Sequence, residues 1–68
     1  MPIHIQLNGE RRSLESPLDV EALLTALELD PRMVAVERNR VVVKRTDYPR
    51  ISVADGDEIE IVAFVGGG

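Results

Sequence analysis

The residues whose type and spacing could support chemistry stand at the end of the sequence, where Gly66, Gly67 and Gly68 follow Val65. Glycine loses more backbone entropy on ordering than any other residue, so three in succession predict a flexible tail. Fully extended, such a tail reaches about 10 Å. Because it lacks Cβ atoms, it can thread a narrow channel and offer the α-carboxylate of Gly68 to a distant active site.

The rest of the chain has few groups that could carry out catalysis through side chains. There is no cysteine, and His4 is the only histidine. His4 alternates with apolar strand residues, which predicts a solvated side chain and not a base beside a nucleophile. Asp55 and Asp57 flank Gly56, as in a tight turn. We therefore expect no catalytic residue, no metal site and no bound cofactor, and we expect that the protein is not an enzyme.

Length and composition limit the other function classes. The chain has 68 residues, so we expect one domain over residues 1–65, followed by the glycine tail 66–68. No basic and apolar leader and no run of about 20 apolar residues is present, which predicts a cytoplasmic protein that does not bind membranes. The net charge of −4 and the presence of only two aromatic residues argue against nucleic acid as a partner.

Hydrophobic periodicity predicts several strands and one helix. Ile3, Ile5 and Leu7 alternate with polar residues, and Asn8-Gly9 is a strong hairpin signal before a return strand at Glu10–Leu14. Asp19 is a good N-cap for a helix with an apolar stripe, which we expect Pro31 to stop. The later chain predicts strands at 33–37, 41–45, 51–53 and 58–65.

The order of these elements predicts the fold class. One amphipathic helix and several half-buried strands bury their apolar faces only if the helix packs across the sheet. We therefore predict an α+β fold, a ubiquitin-like β-grasp roll with a mixed sheet packed on one helix. In such a roll the first and last strands lie parallel at the centre of the sheet.

The alternation of the final strand predicts a partner surface. If Ile59, Ile61 and Ala63 share one face, then Glu58, Glu60, Val62 and Phe64 share the outer face. That face changes from acidic to apolar towards Gly66, which suits docking to a basic protein. Two alternatives stay open: a bulge near Val62 would bury Phe64, and the charges could be no more than solvated faces.

The motifs along the whole chain together resemble one family. They are the Asn8-Gly9 turn, the Asp19-Val20 helix start with Leu23-Leu24, Val34-Ala35-Val36 before Asn39, Asp55-Gly56-Asp57 and the closing Val65-Gly66-Gly67-Gly68. In order and spacing these resemble the ubiquitin-like ThiS/MoaD family, in particular the sulfur carriers of thiamine biosynthesis. The resemblance implies a protein co-substrate whose sulfur is bonded to the carboxyl group of Gly68.

The resemblance also implies the partners. A ubiquitin-activating-like adenylyltransferase (ThiF-like) would use ATP to adenylate Gly68, and a sulfur donor protein would convert the adenylate to a thiocarboxylate. Thiazole synthase (ThiG-like) would receive the sulfur, and the carrier would be a monomer when free. The alternatives are the small subunit of molybdopterin synthase, a sulfur carrier for tRNA thiolation, a ubiquitin-like protein modifier, and a β-grasp binding module with an incidental tail.

Overall fold

A computed structural model describes residues 2–15 and 17–64 of the chain. The elements, in chain order, are β1 Ile3–Leu7, β2 Glu10–Leu14, β3 Leu18–Asp19, α1 Val20–Ala26, β4 Val34–Arg38, β5 Val41–Val43, β6 Ser52–Val53 and β7 Glu58–Ala63. Two 3-10 turns, Pro31–Met33 and Arg45–Asp47, connect α1 to β4 and β5 to β6. The glycine tail and the domain boundary predicted at residue 65 lie outside the described residues.

The five strands of three or more residues form one mixed sheet in the order β2-β1-β7-β4-β5. β7 lies at its centre, parallel to β1 and antiparallel to β4. The predicted β-grasp fold is confirmed, including the parallel first and last strands. The sequence did not predict that β3 pairs with β6 in a separate two-stranded sheet, because strands of two residues carry no periodicity.

Both hairpins of the large sheet turn through residues in the left-handed region. Asn8 and Gly9 have φ values of 50° and 82°, and Asn39 and Arg40 have 52° and 69°. Positive φ at both central residues defines the type I′ turn, whose twist matches that of the flanking strands. Asn8 and Asn39 suit these positions because a short polar side chain tolerates the left-handed region.

The core lies between the sheet and α1. The alternation predicted for β1 is confirmed, since Ile3, Ile5 and Leu7 are buried while His4 and Gln6 are exposed. The helix stripe is confirmed as well: Val20, Leu23 and Leu24 are completely buried. The other buried apolar residues are Val34, Val36, Tyr48, Val53, Ile59 and Ile61.

The helix ends earlier than predicted, so the expectation that Pro31 stops it is wrong. α1 begins after Asp19, whose side chain caps the amide of Ala22, and ends at Ala26. Glu28 then takes a φ of 59°, and the amide of Leu29 bonds to the carbonyl of Leu24. This is a Schellman motif formed without glycine. Pro31 instead opens the 3-10 turn before β4.

Candidate functional site

The outer face of β7 exposes Glu58, Glu60 and Val62, and Phe64, the residue directly after β7, is exposed as well, as predicted for all four. The exposed fractions of Val62 and Phe64 are 61% and 53%. β7 pairs with β4 residue by residue from Ile59 to Ala63, so no bulge shifts the alternation. Phe64 is therefore not a core residue.

The outer face of β4 extends this surface. Ala35 lies directly opposite Val62, and the amide of Phe64 donates a hydrogen bond of 2.8 Å to the carbonyl of Met33. Ala35 is exposed, and so is Met33, at 42%. We call the four residues Met33, Ala35, Val62 and Phe64 the apolar patch. Sequence reasoning missed Met33 and Ala35 because the register between two distant strands cannot be read from either strand alone.

Acidic residues lie on the same face, further from the tail. Glu37 lies directly opposite Glu60, and Glu58 is two residues before Glu60 on β7. Like charges directly opposite each other on a sheet are destabilising. We call Glu37, Glu58 and Glu60 the acidic patch. Sequence reasoning found two of its members and missed Glu37, although the alternation of β4 places Glu37 on the same face as Ala35.

Two asparagine side chains hold β7 from its two sides. The Asn8 side chain donates to the carbonyl of Ile61 and accepts from its amide, at 3.1 and 2.8 Å. On the β4 side, the Asn39 side chain accepts from the amide of Glu58, at 2.9 Å. Each hairpin turn therefore fixes a point of the strand that presents the two patches. The sequence identified both residues as turn residues only.

A buried carboxylate anchors the start of β7. Asp57 is 6% exposed and accepts hydrogen bonds from Arg38 Nε and the Ala54 amide, both at 2.8 Å, and from Asn39 Nδ2 at 3.1 Å. Burial by itself would raise the pKa of Asp57. The hydrogen bonds from Ala54, Arg38 and Asn39 outweigh it, and the pKa lies below its usual value. The turn predicted at Asp55–Asp57 is present, but Asp57 also joins β4 to β7.

The described residues offer little for catalysis by side chains. Within residues 2–15 and 17–64, no group of three or more histidine or acidic side chains could hold a metal ion. The imidazole of His4 is about half exposed and lies 3.9 Å from Asp55. No helix in this part of the chain is both long and apolar enough to cross a membrane. What the arrangement can do is dock: it presents an acidic and an apolar patch on the strand that leads to the tail.

Comparison with known proteins identifies the family. The sequence profile of the ThiS family matches residues 5–68, which is nearly the whole chain and includes Gly66, Gly67 and Gly68. The chain belongs to the ThiS family. It is 37% identical to the sulfur carrier protein ThiS of Bacillus subtilis over 65 residues, which cover 94% of this chain and 98% of that protein.

A solved structure agrees with membership of the ThiS family, and part of a longer protein is also similar to this chain. The crystal structure of the thiamine biosynthesis protein ThiS from Geobacter metallireducens matches with a TM-score of 0.84 and 33% identity, over 97% of this chain and all of that chain. A thiazole synthase of Paramagnetospirillum magneticum is 52% identical over 62 residues, 91% of this chain. The chain spans only 19% of the length of that relative.

Proposed function

We propose that this member of the ThiS family carries sulfur for the synthesis of the thiazole of thiamine, on the carboxyl carbon of Gly68. The observation that carries the proposal is the family match through residue 68, together with a relative named as a sulfur carrier. The described residues support it indirectly, because exposed acidic and apolar patches lie on the strand that precedes the predicted tail. The protein would then be a co-substrate of other enzymes.

The carboxyl group of Gly68 must be activated before it can accept sulfur. An α-carboxyl group has a pKa of about 3.3–3.7, so at neutral pH it is an anion that resists nucleophiles. A carboxylate oxygen attacks the α-phosphorus of ATP, pyrophosphate leaves, and an acyl adenylate remains. A ubiquitin-activating-like adenylyltransferase would supply the active site for this step. No cofactor needs to reside on the carrier itself.

Sulfur then replaces the AMP. Sulfur at the oxidation level of hydrosulfide, supplied by a sulfur donor protein, attacks the acyl carbon. The bond from that carbon to the AMP oxygen breaks, and a thiocarboxylate, AMP and a proton result. The 68 residues contain no cysteine, and in this proposal the sulfur is carried on the carboxyl carbon of Gly68.

Thiazole synthase is the acceptor that the relatives favour. A stretch resembling this chain makes up about a fifth of a protein named thiazole synthase, which supports a close functional link between carrier and synthase. As the bond between sulfur and the acyl carbon breaks, an oxygen nucleophile takes the place of the sulfur, and the Gly68 carboxylate is available again. The acidic and apolar patches on β7 would dock the carrier while its tail enters the active site of the partner.

Intact-mass spectrometry tests the proposal. The chain is incubated with ATP, sulfide and a ThiF-like adenylyltransferase, and we expect a mass gain equal to one oxygen replaced by one sulfur. A variant lacking Gly68 should show no gain and should unfold at the same temperature as the parent, because terminal residues make few stabilising contacts. A mass gain in the shortened variant would show that Gly68 is not the site.

Three further observations distinguish the other functions. A ladder of larger conjugates in a cell extract would indicate a ubiquitin-like protein modifier. Restoration of molybdopterin synthesis or of tRNA thiolation, with no sulfur transfer to thiazole synthase, would assign the carrier to one of those routes. An unmodified chain under every condition would leave only a β-grasp binding module.

A further inference from the structure

The two edges of the five-stranded sheet differ in chemistry. β2 forms one edge, and its exposed residues are charged or polar from Glu10 to Ser13. β5 forms the other edge and consists of Val41, Val42 and Val43. The exposed fractions of Val41 and Val42 are 66% and 69%, the highest among the large apolar residues that are described. Sheet edges are usually protected by charge, and β2 follows this rule whereas β5 does not.

The backbone of Val42 faces the open side of β5. The two-residue turn makes Arg38 and Val41 a hydrogen-bonded pair, so the next pair, Glu37 and Val42, is not hydrogen-bonded. The N–H and C=O of Val42 therefore point away from β4. No other strand formed by residues 2–15 and 17–64 pairs with this edge. The edge thus offers a donor and an acceptor to an additional strand.

Basic side chains flank these valines. Arg40 precedes β5, and Lys44 and Arg45 follow it; all three are exposed, and no carboxylate in the described part of the chain lies within 4 Å of them. Among the residues that the structure describes, Asp47 is the one acid that lines the same hollow as Val41, Val42 and Lys44. The edge is therefore apolar in its middle and positive at both ends.

This charge pattern disfavours a second copy of the chain as the occupant. Two β5 strands pairing antiparallel about Val42 would place Arg40 of each copy opposite Lys44 of the other. Like charges directly opposite are destabilising, and such a dimer would contain two such pairs. A strand with acidic residues at those positions would instead form two favourable pairs.

We propose that the open edge of β5 binds an extended segment of a partner protein that has an apolar centre and acidic ends, adding a sixth strand to the sheet. Backbone hydrogen bonds at Val42 give the segment its register, and Arg40 and Lys44 select its charge. This site does not depend on Gly68 or on sulfur carriage. It lies two strands from β7, about 10 Å away, and Glu37 of the acidic patch lies opposite Val42 on the intervening strand β4.

A synthetic peptide with a Val-Thr-Val centre and acidic residues at both ends serves as the probe. It is titrated into the ¹⁵N-labelled full chain, and amide shifts are followed by NMR. We expect saturable shifts confined to β5 and the adjoining strand β4. Two control peptides should bind at least tenfold more weakly, by about 1.4 kcal/mol: one with lysine ends, and one N-methylated on alternate residues so that it cannot pair.

Variants of the chain locate the binding. Lys44→Glu should weaken binding of the acidic peptide about tenfold and strengthen binding of the lysine-ended peptide. Arg12→Glu on β2 should change neither affinity. Val42→Pro removes the N–H that points away from β4 and should abolish binding. The N-methylated peptide tests the same need for backbone hydrogen bonds without altering the chain. The proposal fails if the acidic peptide does not bind at millimolar concentration or if the shifts map elsewhere. It also fails if an oligonucleotide competes equally for β5, or if the free chain dimerises through β5.

Discussion

Asn8 and Ile61 are joined by two side-chain-to-backbone hydrogen bonds, although one lies in a turn and the other in the central strand. The two paired positions of β1 on β7 end at Leu7 and Ile59. The backbone of Asn8 already belongs to the turn. Its side-chain amide group continues the pairing with β7 beyond that point. A single side chain thus satisfies both polar backbone groups of Ile61.

Removal of the Asn8 side-chain amide should destabilise the fold without disturbing the turn. Asn8→Gly keeps the left-handed conformation accessible but leaves the N–H and C=O of Ile61 unpaired, and we expect a loss of about 1–3 kcal/mol in the free energy of unfolding. Urea denaturation measures it. Arg40→Gly is the matched control, since Arg40 is also left-handed but its exposed side chain makes no such bonds to residues 2–15 and 17–64, and this variant should be no less stable than the parent. Equal stability of Asn8→Gly and the parent would contradict the assigned role.

Relief of the like-charge pair should stabilise the free protein. Glu60→Gln removes the repulsion from Glu37 and should raise the free energy of unfolding by about 0.2–1 kcal/mol at low salt. Glu58→Gln is the control, because Glu58 lies opposite the neutral Gln6 and should give a smaller gain. If the acidic patch steers a basic partner, Glu60→Gln should also slow association in stopped-flow measurements. An unchanged rate would mean that the patch is only a solvated surface.

Phe64 should matter for binding and not for folding. Its side chain is about half exposed, so Phe64→Ala should leave the melting temperature nearly unchanged. We expect binding to the adenylyltransferase to weaken at least tenfold, about 1.4 kcal/mol, as measured by calorimetry. Val41→Ala, an exposed apolar residue on β5, should leave that affinity unaltered. A loss of several kcal/mol of stability in Phe64→Ala would place the ring in the core.

The Asp57 carboxylate should make stability depend on pH in the acid range. Its pKa is lower in the folded protein than the value of 3.8 expected of the unfolded chain. The stabilisation is therefore complete above that value and is lost as the pH falls through the folded-state pKa. Arg38→Leu removes one donor and raises the folded-state pKa towards 3.8, so in thermal unfolding curves the loss should begin at the same pH but be smaller and end at a higher pH. Asp57→Asn should be less stable at neutral pH and should flatten this part of the profile.

The sequence predicted well what depends on neighbouring residues. Alternation identified β1 and the inner face of β7, the Asn8-Gly9 pair identified the first hairpin, and Asp19 identified the helix start. The end of the helix was mispredicted because proline is a strong stop signal. Glu28 carries no comparable signal, although it ends the helix by adopting a left-handed conformation that most residues avoid.

Features that depend on pairing between distant strands were beyond the sequence. Nothing local indicates that Glu37 lies opposite Glu60, that Ala35 lies opposite Val62, or that Asn8 reaches Ile61. Each follows from the register of β7 between its neighbours, which many weak contacts set together. The composition of the predicted partner surface could therefore be inferred only for β7, where alternation within one strand places the side chains on a common face.

The parallel pairing of β1 with β7 also determines how the domain responds to force. A partner that pulls on the chain beyond Phe64, while the start of β1 is held, loads the two strands in shear. The bonds from Gln6 to Asp57, from Asn8 to Ile59 and from Asn8 to Ile61 then bear the load together and cannot open one at a time. Force applied in this direction therefore meets several hydrogen bonds at once, which gives the domain a mechanical resistance that is separate from its thermal stability.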